Sequence, residues 1–388
     1  MFSSRLQWDA HPNRFSTLLE SKKRTGAAVL DLTESNPTRA GLAYPAREIL
    51  DALSDPGSLV YDPRPAGLEG AREAVAGHYR SRGCNVPPER ILLTASTSEA
   101  YAHLFKLLAD PGDEILAPCP SYPLFEFLAA LESVRIVPYP LAYHGLWSID
   151  FDAIERSLTS RTRAIVLVNP NNPTGSFIKQ DELARLAALA SSRGVALISD
   201  EVFADYAFVA DAARVPTLAA VTDALAFCLS GVSKICGLPQ MKLGWVAAAG
   251  PGSAEALARL EWISDTFLSV GTPVQHALPR LLQAGEAVRA QISQRTRANL
   301  EWLRGAIGGE STCQLLDVEG GWYATLRIPR TRSEEEWALA LLERENVLVQ
   351  PGYFYDFGSE AYLVLSLLTP AEAFREGIAR LLTTVACG

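Results

Sequence analysis

Four short stretches of the chain place reactive side chains directly after apolar runs. "ILLTA" is followed by Ser96, Thr97 and Ser98, "VLVNP" by Asn171 and Asn172, "ALIS" by Asp200 and Glu201, and "FCLSG" by Ser233 and Lys234. A second lysine, Lys242, follows eight residues after Lys234 in "SGVSKICGLPQMKLGW", among small and apolar neighbours. Lysine is seldom fully buried without a partner, so two in this company call for partners. Free N–H groups where a helix opens at Ser96–Ser98 can hold an anion. With them come an amide, a carboxylate and an amine, a set able to bind a phosphorylated group and to move protons. Each also has a plainer reading: a helix cap, turn chemistry in "NNPTG", a structural carboxylate, a lysine whose stem snorkels to solvent. Their joint occurrence at successive strand ends favours chemistry, because ligands of open α/β sheets sit at the carboxyl ends of the strands.

The elements that must hold these residues alternate. "RILLT", "EILAP", "RAIVLVNP", "VALISDE", "LAFCLSG" and "LGWVAAA" read as short buried strands. Between them, "STSEAYAHLFKLLAD" and "DELARLAALASSRG" carry apolar residues at helical spacing, with Gly194 as a stop. Buried strands alternating with helices give an α/β architecture with a mostly parallel sheet. Beyond about residue 285 a long helical stretch, "AVRAQISQRTRANLEWLRGAI", leads into strands and helices that suit a smaller α+β domain. The expected division is a large domain over 47–280 and a small one made from 1–46 and 281–388. "GLP" between Lys234 and Lys242 breaks the chain, so the two lysines do not lie on one continuous helix.

Composition narrows the function. A net charge of −9 without a run of Lys or Arg argues against nucleic acid and anionic membranes. No apolar run reaches membrane-spanning length, and the N-terminus lacks the apolar segment of a secretory signal. The six cysteines are scattered and form no C-x-x-C, which reads as free thiols in a reducing cytoplasm. The five histidines form no i, i+4 pair, so no metal is expected.

The order of the motifs resembles the class I/II aminotransferases, pyridoxal-phosphate enzymes with an aspartate-aminotransferase-like fold. "NPNNPTG", "SDEVFADY" and "SKICGLPQMKLGW" carry the resemblance, supported by "LTESNPTRAG", "YDPRPAGLEGAREAVAGHY", "TASTSEAY" and "PSYPLFE". It covers nearly the whole chain. It implies fold type I, with a mostly parallel seven-stranded-type sheet sandwiched by helices, plus the smaller α+β domain. It also implies a ping-pong exchange in which an L-amino acid gives its nitrogen to the cofactor and a 2-oxo acid takes it. Lys234 stands where the family's lysine forms a Schiff base with pyridoxal 5'-phosphate. Such an amine must be neutral to attack, so burial should lower its pKa. Asp200 matches the carboxylate that keeps the pyridine nitrogen protonated. Asn172 matches the amide on the ring's 3-oxygen, and Tyr122 the aromatic that stacks on the ring. The phosphate falls to the Ser96–Thr97–Ser98 helix start, Ser233 and Lys242. Tyr61 matches a tyrosine that reaches the phosphate from a partner subunit, which implies a homodimer.

Three departures stand out. Lys242 replaces an arginine common at the phosphate, keeping charge without bidentate geometry. Phe203 replaces a tyrosine that usually holds the 3-oxygen; Tyr206 is the candidate to compensate. Val364, in "AYLVLSLLTP", occupies the position of the arginine that clamps the substrate carboxylate. A carboxylate leaving water needs a charged partner. Arg39, following Ser35 in "SNPTRAG", is the candidate, and Ser35, Arg39 and Asn172 form the expected substrate contacts. C–S lyases and cyclising enzymes share the same cradle and remain an alternative. "SFIK" (Ser176 to Lys179) fits the S-x-x-K of serine acyl enzymes, but no K-T-G accompanies it. A non-enzymatic regulator would need an attached DNA-binding module, for which the family-like region leaves no room.

Overall fold

Each apolar run between turn residues becomes a strand whose residues are buried on both faces. The computed structural model describes residues 2–6, 8, 11, 13–308, 311–359 and 361–387. After a short β1 (Leu30–Asp31), the large sheet is built from β2 (Ile91–Thr94), β3 (Glu114–Cys119), β4 (Arg135–Tyr143), β5 (Trp147–Ile149), β6 (Thr162–Val168), β7 (Ala196–Asp200), β8 (Ala226–Gly231) and β9 (Gly244–Ala249). Their order across the sheet is β2-β9-β8-β7-β6-β3-β4-β5. Strands β8, β7, β6, β3 and β4 run parallel, whereas β9 is antiparallel to both its neighbours. The sheet has eight strands. The addition to the expected seven is β5, which a left-handed Gly145 (φ 91°) folds back antiparallel onto the end of β4. Helices cover both faces, and each face has its own apolar core.

The small domain carries β10 (Gln314–Leu315), β11 (Tyr323–Arg327), β12 (Val347–Leu348), β13 (Gln350–Pro351) and β14 (Tyr362–Ser366). Four of these form an antiparallel sheet ordered β10-β11-β14-β13, and β12 pairs in parallel with β1. Phe15 and Leu32 are buried in one apolar cluster with residues of that sheet.

One helix, Thr272–Ala306, ties the halves together. It begins well before the stretch that its sequence periodicity marks, carries Pro279 inside it and runs unbroken through position 280. Val274, Ala277, Leu278 and Leu281 pack into the large core, and Leu300 and Leu303 into the small one. Between them Val288 and Ile292 enter a cluster containing Phe203, Tyr206, Trp322, Tyr323 and Val364. That cluster lies directly behind the strand ends where the polar residues gather.

Candidate active site

The connection from β8 to β9 explains why two lysines lie eight residues apart. β8 ends at Gly231, one helical turn follows over Val232–Ile235, and Gly237 reverses the chain at φ 63°. A 3-10 turn, Pro239–Met241, and a left-handed Lys242 then return it to the neighbouring strand. A Cβ on Gly231 would stand 2.8 Å from the Leu243 carbonyl, and one on Gly244 would stand 3.0 Å from the Ser230 carbonyl. These glycines allow the two strand ends to close, so both lysines face one cavity. Tyr206 donates to the Lys234 carbonyl at 2.6 Å and Tyr44 to that of Gly237 at 2.8 Å, fixing the loop. Tyr206 thus anchors backbone and does not replace the missing hydroxyl at Phe203.

The Lys234 ammonium position lies 4.7 Å from the ring centre of Trp322 and 5.5 Å from that of Phe203. Burial among these groups pulls its pKa down to about 8, against the raising charge of Asp200. Asp200, at the end of β7, accepts hydrogen bonds from the Tyr101 hydroxyl at 3.2 Å and the Val202 N–H at 3.2 Å. Burial raises its pKa to about 6 despite those bonds. Its neighbour Glu201 points the other way, accepting from the Ser199 hydroxyl and the Leu218 N–H.

In "NPNNPTG" the asparagines divide the work. Asn169 bridges to Val215 and Ile178, and Asn171 holds the turn through Thr174. Asn172 is buried on the cavity wall with its Oδ1 unpartnered. The Ser96 side chain caps the helix Thr97–Leu108 by accepting from the Glu99 N–H, which leaves the N–H groups of Thr97 and Ser98, both on the cavity wall, without a helical partner. Ser35, Tyr122, Phe203, Ser233 and Lys242 complete the wall, and the enclosed volume is about 380 Å³.

Neither Arg39, expected at the substrate, nor Tyr61, expected to act from a partner copy, lines this cavity. Arg39 is exposed on its loop and is not part of the wall. Tyr61 is 79% exposed, outside this chain's own cavity. Ser176 and Lys179 do not form a catalytic pair, because Lys179 is bound to the buried Glu319 and Ser176 pairs with Thr174. Sequence reasoning passed over Tyr101, Trp322 and Tyr323. Tyr101 could have been found, since it follows Thr97 by four residues on the buried face of the same helix. Tyr323 begins β11, far away in the chain, and is held by Ser35 and Asn172, with its phenol pushed up to about 12 by burial.

Against known families, the profile of aminotransferase class I and II matches residues 27–381. The chain belongs to that family. Glutamate-pyruvate aminotransferase AlaA of Escherichia coli K12 is 28% identical over 372 residues, covering 92% of this chain and 90% of its own. An alanine aminotransferase from Pyrococcus furiosus superposes with a TM-score of 0.88 over the full length of both chains, at 21% identity, a likeness of fold. An S-alkyl-thiohydroximate lyase of Arabidopsis thaliana is 33% identical, over 61% of this chain and 52% of its own. Fold, family and the named aminotransferase relatives agree on a transaminase of fold type I. Among the described residues no helix is long and apolar enough to cross a membrane, and no acidic, histidine or cysteine group is arranged to hold a metal.

Proposed function

We propose that the chain moves the amino group of an L-amino acid to a 2-oxo acid with pyridoxal 5'-phosphate held in this cavity. The observation that carries the reading is Lys234, an amine lowered to about pKa 8, on the wall of one cavity with Asp200. The fit of the cofactor rests on the wall itself. Asn172 presents a buried amide on the wall, and the Thr97–Ser98 start of the helix opens onto the same cavity. When bound, the cofactor supplies an aldehyde for the amine and a ring that accepts the electrons of a carbanion. Asp200 holds a protonated ring nitrogen. Asn172 binds the ring's 3-oxygen and Tyr122 covers its face. Thr97, Ser98, Ser96, Ser233 and Lys242 surround the phosphate, with Lys242 and the helix dipole supplying positive charge. Lys234 Nζ, freed by the incoming donor, takes the proton from the donor's α-carbon.

The same reading places Tyr61 in the site of a second copy, making the enzyme a homodimer, with the division near residue 280 inside the linking helix. A donor screen tests it: purified protein should bind the cofactor with a visible absorption band that an amino acid bleaches and a 2-oxo acid restores. Lys234→Ala should lose covalent capture of the cofactor. If that variant keeps the wild-type band, Lys234 is not the capturing amine. The lyase relative and Val364 favour one other outcome, elimination, which would show as pyruvate and ammonia release without restoration by a 2-oxo acid.

A further inference from the structure

Tyr101 stands among apolar residues of the helix Thr97–Leu108. Ala100, Leu104 and Phe105 are fully buried beside it, and its ring lies 5.9 Å from that of Phe105 and 5.3 Å, edge to face, from that of Phe125. A phenylalanine would fill this space equally well without burying a hydroxyl, which costs free energy unless the hydroxyl finds a partner. The partner is Asp200, whose Oδ2 accepts from the phenol at 3.2 Å. That is long for a hydroxyl-to-carboxylate bond, and such bonds shorten when a site is loaded.

Asp200 Oδ1 accepts from the Val202 N–H, two residues along its own loop. One bond on each oxygen fixes the plane of the carboxylate, and each oxygen keeps a lone pair for a further donor. Of the two bonds, the one from Tyr101 comes from another element. Lys234 and Glu201 are the charged groups acting on Asp200, the first favouring its ionised form and the second opposing it. Burial and the nearby Asp200 keep the phenol protonated well above its ordinary range, so Tyr101 donates at every working pH. We propose that Tyr101 is a positioning residue, which aims Asp200 at the ring nitrogen of the bound cofactor and favours its charged form. The helix then serves the cofactor twice, at the phosphate through Thr97 and Ser98 and at the ring through Tyr101, one turn later. The role rests on the amino-transfer reading for the ring that Asp200 meets.

Tyr101→Phe keeps the packed ring and removes the donor. In the holoenzyme it should weaken binding of pyridoxal 5'-phosphate by about tenfold, the scale of one hydrogen bond to a charged group. In an Asp200→Asn background the same change should cost little, because Tyr101 acts through the carboxylate. The acid limb of cofactor affinity against pH should also move upward by about one pH unit, since the lost bond favoured ionised Asp200. A packing role would lower affinity equally in both backgrounds and at every pH, and that result overturns the inference. Denaturation of the cofactor-free chain gives a second readout: the coupling between Tyr101→Phe and Asp200→Asn should be larger at pH 8 than at pH 4, and equal coupling counts against the role. If these results hold but an amino acid does not bleach the band and a 2-oxo acid does not restore it, amino transfer fails while the Tyr101–Asp200 pairing stands.

Discussion

Lys234 and Asp200 are each held away from their ordinary protonation behaviour by the same burial, and each then acts on the other. In cofactor-free protein Lys234 should acylate with an apparent pKa near 8, well below the ~10.4 of an ordinary lysine. Asp200→Asn removes the charge that raises it, so the value should fall further; competitive labelling read by mass spectrometry measures both. A Lys234 titrating like a surface lysine would reject the burial argument. Asp200 carries a stability consequence as well. Its folded pKa of about 6 lies above the unfolded ~3.9. Between those values the native protein holds a proton that the unfolded chain has released, so stability falls as pH rises through that window. At pH 7 the whole penalty is present. Asp200→Asn should therefore stabilise the cofactor-free protein by about 1–3 kcal/mol at pH 7 and by little at pH 4, in denaturant titrations. The same variant should lower kcat by roughly a hundredfold or more, because the ring nitrogen loses its counter-charge. A residue that costs stability when empty and is needed when loaded marks the centre of a site.

At the scale of elements, the site depends on close approaches. Glu319 lies just before β11 and reaches the "NNPTG" loop of the other domain. It is buried, bound to Lys179, accepts from Arg214 at 2.9 Å and from the Phe177 N–H at 3.1 Å. Glu319→Gln takes the carboxylate from Lys179 and leaves Arg214 with Asp211 at 3.5 Å, and should cost about 2–4 kcal/mol of unfolding free energy. Gly231→Ala should cost about 1–3 kcal/mol, since its Cβ meets backbone 2.8 Å away that cannot swing aside. An unchanged denaturation midpoint in either variant would remove that contact from the account. These contacts also mark where sequence reading ends. Strand-end residues such as Asp200 and Lys234 were legible because an apolar run announces its own end. Asn172 stood apart from Asn169 and Asn171 only by family likeness, since all three suit a turn. Tyr323 and Glu319 reach the site across more than a hundred residues of chain, and nothing local in "VEGGWYATLRI" signals it. The helix Thr272–Ala306 extends past its legible half because packing against both domains outweighs Pro279 inside it.

The whole molecule displays an apolar surface that a single copy leaves uncovered. Leu59 is 90% exposed, Tyr61 79% and Trp262 76%, and Tyr61 shares a surface recess with Leu268 and Val270 just beyond the helix Ser253–Phe267. Large apolar side chains so grouped are common at interfaces between copies. A twofold axis there would let each copy's Tyr61 enter the other's cavity, where its hydroxyl adds a neutral donor to the phosphate end. Loss of that donor alone should weaken cofactor binding by about 1–2 kcal/mol, an amount that Tyr61→Phe would show in cofactor titrations. Sharing across the axis predicts something stronger. In a mixed dimer, Tyr61→Phe on one copy and Lys234→Ala on the other fall in the same site only when the two residues of a site come from different copies. In a mixed dimer the Tyr61→Phe copy keeps Lys234 and receives an intact Tyr61 from the Lys234→Ala copy, so one site is whole and the other carries both lesions. Refolding an equal mixture should then yield about a quarter of wild-type sites at full cofactor affinity, from half the dimers with one good site each. Parent homodimers contain none. If the mixture binds cofactor only as the sum of its parents, Tyr61 serves its own subunit or no site, and the cavity is complete in one chain.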